Sequence, residues 1–221
     1  MIKNQKYIFL YAFILALIIF SLGIFMGYLL ESSRINKINT LYLNAEMELL
    51  DQTLQRDMIG ATGFNQTICQ DFVNENINFG DEIFQEAQQI QKYEDANKIN
   101  GDIVFQHKRY DLLRTLFWMN SIVIKQKCNA SYNDVVYFYK YNNPSIEQDS
   151  DQKALSNLLI ELKNKYGNNV MLIPIAGDNN ISSINLLMEQ YSITQLPAIL
   201  INEKIKLTRI NSMSEIEKYL N

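Results

Sequence analysis

The chain has 221 residues, 48% of them hydrophobic, with a formal net charge of −4 and a pI near 5.1. This length is sufficient for one globular domain with attached segments. Nucleic-acid binding requires clustered Lys and Arg that neutralise phosphates, and only the N-terminal tip of this acidic chain is basic. We therefore expect no nucleic-acid partner.

The N-terminal region predicts a membrane span. Residues 7–30 contain no charged side chain, and a helix of that length reaches about 36 Å, enough to cross a bilayer. A cleaved signal peptide would have a shorter apolar run and a small-x-small cleavage site. We predict an uncleaved anchor over 7–30, with 1–6 as a cytoplasmic tip. Lys3, Lys6 and the terminal amine precede the span, and Arg34 and Lys37 follow it with Glu31 among them. This slight excess of positive charge before the span predicts that 31–221 lies outside.

Residues 31–130 are predicted to form a helical stalk or bundle. Three interpretations of its first helix stay open: a stalk continuing the membrane helix, a coiled coil between two copies, or packing on the protein's own later helices, which is favoured because the apolar pattern fades. Breaks are expected at 60–63 and 78–80, and His107 is expected to be structural or solvent-facing. The first helix carries an apolar stripe of Ile35, Ile38, Tyr42, Ala45 and Leu49.

The two cysteines, Cys69 and Cys128, are too far apart for a CxxC motif. One histidine in the whole chain leaves no zinc ligand set, so we predict neither a metal site nor a cofactor. An even cysteine pair in an exported domain is typical of a disulfide. Closing a loop of about 60 residues would stabilise the fold by roughly 4 kcal/mol in the chain-entropy model. The alternative is two buried free thiols.

From Asp134 the pattern changes to short apolar strands separated by helices. The predicted order is β-α-β-α-β-β-α, with helices near 149–166, 183–191 and from about Ser212, and a tight turn at Asn202-Glu203 joining the last two strands. Strands joined through a helix are expected to be parallel neighbours. The hairpin of the last two strands implies an antiparallel strand at the edge of the sheet. The pattern predicts an α/β domain with a small sheet covered by helices.

The stretch "YSITQLPAILINEKI", residues 191–205, resembles the entry to a conserved strand of thioredoxin-like proteins. The resemblance covers 134–221 and implies a thioredoxin-like domain over 131–221, with Pro197 in the cis form beside the family's active-site loop. With the anchor and the helical region, the chain is similar to membrane-tethered thioredoxin-domain proteins of prokaryotes.

The resemblance places the family's CxxC between the first strand and the following helix. The best match is Glu147 to Ser150, and a tighter alignment gives Asn143 to Ile146; neither contains sulfur. Disulfide exchange needs a thiolate that attacks and a second thiol that releases the mixed intermediate. We therefore expect ordinary thioredoxin activity to be absent, and we expect Asp149, Ser150 and Asp151 to cap the helix.

A peptide-binding surface could survive the loss of thiols, because thioredoxin-like relatives hold extended peptides through main-chain contacts. The expected function is a membrane-tethered, redox-inactive binding or assembly module whose partner is an extended peptide or another membrane protein. The alternative is a thiol-disulfide oxidoreductase that uses Cys69 and Cys128. The candidate surface comprises Asn143, Pro144, Glu147, Gln148, Asp149, Ser150, Leu196 and Pro197.

Overall fold

The computed structural model describes residues 5–61, 66–96, 101–210 and 212–220. The chain forms two compact units, Met1–Leu43 and Asn44–Asn221. The first helix, α1, runs from Gln5 to Ala61, so it begins in the first unit and ends in the second.

The N-terminal unit carries the apolar part of α1. Tyr7–Ser33 has 27 residues with a mean hydropathy of 2.8, and none of it is buried inside the protein. A helix that is apolar all round has no face suited to water. By length and composition it can cross a membrane, which confirms the apolar helix predicted over 7–30.

The second unit contains five further helices and four strands among its described residues. Short 3₁₀ turns precede α2 and β2. From β1 onward, the predicted order of strands and helices is confirmed. The helices are α2 (Cys69–Ala96), α3 (Gly101–Cys128), α4 (Ile146–Tyr166), α5 (Ser182–Gln190) and α6 (Met213–Glu217), and the strands are β1 (Asn133–Tyr139), β2 (Val170–Ala176), β3 (Ala198–Ile201) and β4 (Ile205–Leu207).

The four strands form one mixed sheet in the order β2-β1-β3-β4. β1 is parallel to β2 and antiparallel to β3, and β3 is antiparallel to β4. β1 is therefore central, and every residue in it except the half-buried Tyr139 is buried. Helices on both faces explain why its sequence is a continuous apolar and aromatic run and not an alternating one.

A two-residue turn closes the β3–β4 hairpin, as predicted. Asn202 and Glu203 have φ values of 49° and 57°, and the Lys204 N–H donates to the Ile201 carbonyl at 3.1 Å. Positive φ at both central positions matches the right-handed twist of the flanking strands.

The two faces of the sheet have different partners. On one face, Val135 and Tyr137 belong to a core cluster with the α4 leucines Leu155, Leu159 and Leu162. On the other, Phe138 meets the fully buried Trp118 of α3, with ring centroids 6.1 Å apart. The alternation follows from the two-residue period of a strand.

The helix break predicted at 78–80 is wrong, because α2 continues through it from Cys69 to Ala96. Gly80 is buried where α2 approaches its neighbours: a Cβ there would lie 2.8 Å from Met171 Sδ and 3.0 Å from Phe117 Cζ. The glycine permits a close approach between elements and does not end a helix. The sequence alone does not distinguish these roles, because glycine occurs both where helices end and where packed elements approach closely.

We expect Gly80→Ala to lower the free energy of unfolding by about 1–2 kcal/mol. Overpacking against Met171 and Phe117 outweighs the gain of about 1 kcal/mol in helix propensity. Asn78→Ala, at an exposed site in the same helix, is the control and should be neutral or stabilising. Chemical unfolding followed by the fluorescence of Trp118, the single tryptophan, measures both. Equal stability of the two variants would contradict the tight contact.

In the second unit, the end of α1 packs beside α3. Arg56 Nη1 donates to Asn120 Oδ1 at 3.0 Å, and Glu46 forms an ion pair with Arg109. This part of α1 thus contacts the protein's own later helix, as one of the three interpretations expected. Of the predicted stripe, Ile35 is exposed, and the side chains of Ile38, Tyr42, Ala45 and Leu49 lie outside those that the structure describes.

Cys69 and Cys128 form a disulfide, with the two Cα atoms 5.3 Å apart. The bridge ties the beginning of α2 to the end of α3, and α3 leads directly into the central strand. The prediction of a bonded pair is confirmed, and the alternative of two free thiols is not found.

Candidate functional site

The candidate site lies where the parallel strands β1 and β2 end. Ligands in open α/β sheets commonly bind outside the carboxyl ends of parallel strands. Here Tyr139 and Ala176 are aligned in the β1–β2 register, and each is the last residue of its strand. We call this region the carboxyl edge.

The loop that leaves β1 is held in place by side chains from two other elements. Gln152 of α4 accepts from the Lys140 N–H at 2.6 Å and donates to its carbonyl at 3.1 Å. Asp178, which follows β2, accepts from the N–H groups of Tyr141 and Asn142, each at 2.8 Å. These contacts fix the backbone of the loop without a ligand.

The helix that follows the loop begins earlier than predicted. Ser145 is the N-cap: its hydroxyl accepts from the Gln148 N–H at 3.2 Å, and the Gln148 side chain accepts from the Ser145 N–H at 3.3 Å. This reciprocal capping box satisfies two backbone donors. The predicted cap at Asp149 to Asp151 is wrong, because those residues already lie inside α4.

The candidate residues therefore occupy the loop and the first turn of α4. Asn143, exposed with a φ of 47°, and the half-buried Pro144 belong to the loop. Asp149 forms an exposed ion pair with Lys153 at 2.6 Å. Sequence reasoning did not select one very exposed residue: Ile146, at the first helical position, is 92% exposed. The other residues in the first turns are Glu147, Gln148 and Ser150.

Leu196 and Pro197 reach the same edge from the other side. Their peptide bond is cis. Ala198 pairs with Phe138 near the end of β1, so Pro197 comes immediately before that pair. Leu196 lies close to Gly177, just beyond β2: a Cβ on Gly177 would be 3.0 Å from a Leu196 methyl group. Both halves of the predicted surface are thus at the carboxyl edge.

An aromatic and charged cluster under this edge escaped the sequence reasoning. His107 of α3 is 6% exposed, stacks on Tyr141 with ring centroids 3.8 Å apart, and lies 2.8 Å from the Tyr139 hydroxyl through Nε2. The same nitrogen lies 3.4 Å from Asp111 Oδ2. The i, i+4 spacing of His107 and Asp111 was the available signal, but it does not reveal that the strand ends cover both residues.

Asp111 links this cluster to the sheet. Its fully buried carboxylate accepts from Asn179 Nδ2 at 2.8 Å and from the Ala176 N–H at 3.2 Å, and Arg114 Nη1 lies 3.6 Å away. Burial raises the pKa of Asp111, while His107 and Arg114 act in the opposite direction. The carboxylate therefore serves as a buried connector between α3 and the carboxyl edge.

The carboxyl edge contains no thiol. Both cysteines of the chain are in the disulfide, which precedes the amino end of β1, the opposite end of that strand. Among the described residues, no group of three or more His, Cys, Asp or Glu side chains could hold a metal ion. What the edge offers is a fixed backbone, an exposed isoleucine and a capped helix start.

No protein-family model matches the chain, and no curated protein sequence is detectably similar to it. A functional assignment therefore depends on the geometry of the site.

Proposed function

We propose that this chain is a membrane-tethered thioredoxin-like protein without thiol chemistry, and that its carboxyl edge binds an extended segment of a peptide or of another membrane protein. The apolar part of α1 is the anchor, and residues 31–221 lie outside.

The sheet supports the thioredoxin-like assignment. A parallel β1–β2 pair joined through α4, an antiparallel β3 reached through α5, and a closing β3–β4 hairpin followed by α6 agree with the order that the resemblance implies. The cis bond before β3 occupies the position where the family has its proline. The topology of the sheet thus agrees with the motif.

We infer the absence of redox activity from the residues at the beginning of α4. A thiolate in this fold is made acidic by the helix N-terminus. Here Ser145 is the N-cap and the helix begins at Ile146, both within the tighter alignment of the missing motif, and neither alignment contains sulfur. A serine hydroxyl is not ionised near neutral pH and cannot exchange with a disulfide.

Binding is supported by the preformed loop. Gln152 and Asp178 hold the backbone after β1. Ligand binding therefore does not include the entropic cost of ordering this loop. Ile146 adds an apolar contact, because its side chain is almost fully exposed beside that loop. A fixed backbone next to an exposed apolar side chain suits an extended peptide.

The outside location is supported by two features. The disulfide is stable in an oxidising compartment, and such bonds are rare in the cytosol. The basic residues Lys3 and Lys6 precede the span, as expected for an N-terminus that stays inside.

We test the binding function with full-length protein in nanodiscs and a library of short extended peptides. Peptides that bind should lose affinity at least about tenfold in Ile146→Asp, since an apolar contact is replaced by a charge. An acidic residue in the first turn also favours the helix, so this variant should fold. Tyr219→Ser, at another exposed site, is the control and should bind normally.

Two results would overturn the proposal. If Ile146→Asp binds every selected peptide as well as the unmodified protein does, the carboxyl edge is not the binding surface. If the unmodified protein reduces a disulfide-bonded peptide with turnover, and Cys69→Ser abolishes this, the chain is an oxidoreductase that uses its distant cysteine pair.

A further inference from the structure

Three tripeptides of the chain match the acceptor pattern for N-linked glycosylation, Asn-x-Ser or Asn-x-Thr with x other than proline. They are Asn65-Gln66-Thr67, Asn129-Ala130-Ser131 and Asn180-Ile181-Ser182. Each lies after the apolar part of α1, in the region that we propose to be outside. Asn65 is not among the described residues, whereas Asn129 and Asn180 are.

Asn129 and Asn180 lie on the surface, in connections between regular elements. Asn129 follows α3 directly and precedes β1, and Asn180 lies between the end of β2 and the beginning of α5. Both asparagines are exposed, and so are the serines of their tripeptides, Ser131 and Ser182. A glycan is bulky and hydrophilic, so the folded chain must leave its attachment site in solvent. Both positions meet this requirement.

The amide groups of these two asparagines are not used by the fold. In the part of the chain that the structure describes, neither side chain forms a hydrogen bond. Other asparagines in loops are engaged: Asn142 Nδ2 donates to the Asp178 carbonyl at 3.1 Å and to Asn179 Oδ1 at 3.0 Å. A sugar on Asn129 or Asn180 would therefore replace no contact of the protein.

The acceptor pattern is absent from the buried asparagines that the structure describes. Four of them are at most 2% exposed, and none is followed two positions later by Ser or Thr: Asn76, Asn120, Asn133 and Asn179. In the described part of the chain, the pattern therefore occurs only where a glycan has space.

The backbone explains why asparagine occupies the two positions, but it does not explain the serines. Asn129 and Asn180 have φ values of 51° and 55°, in the left-handed region that asparagine adopts more readily than most residues. Neither Ser131 nor Ser182 forms a side-chain hydrogen bond with a described residue, and α5 has no side-chain cap. The hydroxyl that the pattern requires is therefore accessible at both sites.

The chain contains a natural comparison site at Asn143. This residue is also exposed, has a φ of 47° and is followed two positions later by a serine, Ser145. Pro144 stands between them and excludes the tripeptide from the acceptor pattern. Asn143 thus shares the exposure and the backbone conformation of the two candidate acceptors but not their sequence pattern.

We propose that Asn129 and Asn180 carry N-linked glycans. The donor is an oligosaccharide linked through phosphate to a membrane lipid. Nδ2 of the asparagine bonds to C1 of the first sugar and loses one proton, while the bond from C1 to the phosphate oxygen breaks and the lipid phosphate leaves with the electron pair. Nothing is oxidised or reduced. The proposal rests on the outside location of residues 31–221, because this transfer takes place on the non-cytoplasmic side of a membrane.

The test is mass analysis of peptides from the full-length protein, isolated from the membranes of its own cells. The peptides that contain Asn129 and Asn180 should carry an oligosaccharide, and those that contain Asn143 should not. Ser131→Ala and Ser182→Ala keep each asparagine, and with it the turn, but remove the hydroxyl. Each variant should lose the whole oligosaccharide mass at its own site. Asn168→Gln, at an exposed site outside the pattern, is the control and should keep both glycans.

Protease added to cells stripped of their wall separates this proposal from the outside location. The protease must digest the same protein in detergent. If residues 31–221 are digested and both asparagines are unmodified, glycosylation is refuted and the outside location stands. If the region is protected and unmodified, both are refuted.

Three further results would contradict the assignment of the sites. A glycan on only one of the two asparagines would overturn the proposal for the other. An oligosaccharide on Asn143, or one that persists at Asn129 in Ser131→Ala, would show that the modification does not follow the acceptor pattern.

Discussion

Replacing Asp111 by alanine is expected to lower the free energy of unfolding by about 3–5 kcal/mol, the cost typical of removing one partner from a buried charged network. The substitution leaves the Ala176 N–H and the Asn179 amide without the acceptor that each now uses. It also removes the ion pair between Asp111 and Arg114, which is 6% exposed. Buried donors that lose their acceptor bear the cost of desolvation without compensation.

The same substitution should loosen the carboxyl edge. His107 contacts Asp111, Tyr139 and Tyr141, so the substitution removes one of the contacts that hold the ring against the strand ends. Hydrogen exchange should therefore increase at the N–H groups of Tyr141 and Asn142 more than in the β3–β4 hairpin.

The measurement is chemical unfolding of the full-length chain, followed by the fluorescence of Trp118, which is fully buried. Asp149→Ala is the matched control, because its carboxylate is in a surface i, i+4 pair with Lys153 that contributes only about 0.3–0.5 kcal/mol. If Asp111→Ala and Asp149→Ala lower the free energy of unfolding equally, Asp111 is not a buried connector. Its contacts would then contribute no more than those of an exposed ion pair.

Asp134→Asn is expected to flatten the dependence of stability on pH between about 4 and 6. Asp134, at the beginning of β1, is fully buried and accepts from Ser121 Oγ at 2.7 Å and from Lys125 Nζ at 2.6 Å. Burial raises the pKa of Asp134 to about 6; Lys125 lowers it and Glu203 raises it further. The group therefore titrates well above the ordinary value of 3.8.

The direction in which stability changes with pH follows from this raised pKa. The folded state holds the Asp134 proton more tightly than the unfolded state does. Protonation therefore stabilises the fold below the ordinary pKa, and this contribution is lost as the pH rises from about 4 to about 6. Asparagine does not titrate, so the variant should lack this loss.

Urea unfolding of both proteins at a series of pH values between 4 and 7 measures the effect. Other titrating groups contribute to both profiles, so the difference between the profiles isolates Asp134. Parallel profiles would mean that the carboxylate stays ionised throughout this range and that Lys125 overcomes the cost of its burial.

Together, Asp111 and Asp134 explain how α3 is fixed on the sheet. Asp111 joins the helix to the end of β2, and Asp134 joins the beginning of β1 to Ser121 and Lys125, further along α3. The carboxyl edge is therefore built partly from a helix that precedes the sheet in the chain. A binding role for that edge would depend on the helical region as well as on the α/β region.

Features that depend on local composition were predictable from the sequence. The uncharged run over 7–30 can form an apolar helix long enough for a membrane, because length and hydropathy are sufficient for that prediction. The continuous apolar run of β1 and the Asn202-Glu203 turn were also readable, since each has a local physical cause: burial on two faces, and positive φ at the turn.

Other features of the fold and of the candidate site depend on tertiary contacts. Gly80 looks like a helix break in sequence, but Phe117 and Met171 make it a point of close contact. Ser145 and Asp149 are both acceptable caps by residue type, and the path of the loop selects Ser145. The connection from His107 and Asp111 to Tyr139 and Ala176 joins residues more than thirty positions apart. Such contacts depend on how helices pack on a sheet, which local periodicity does not encode.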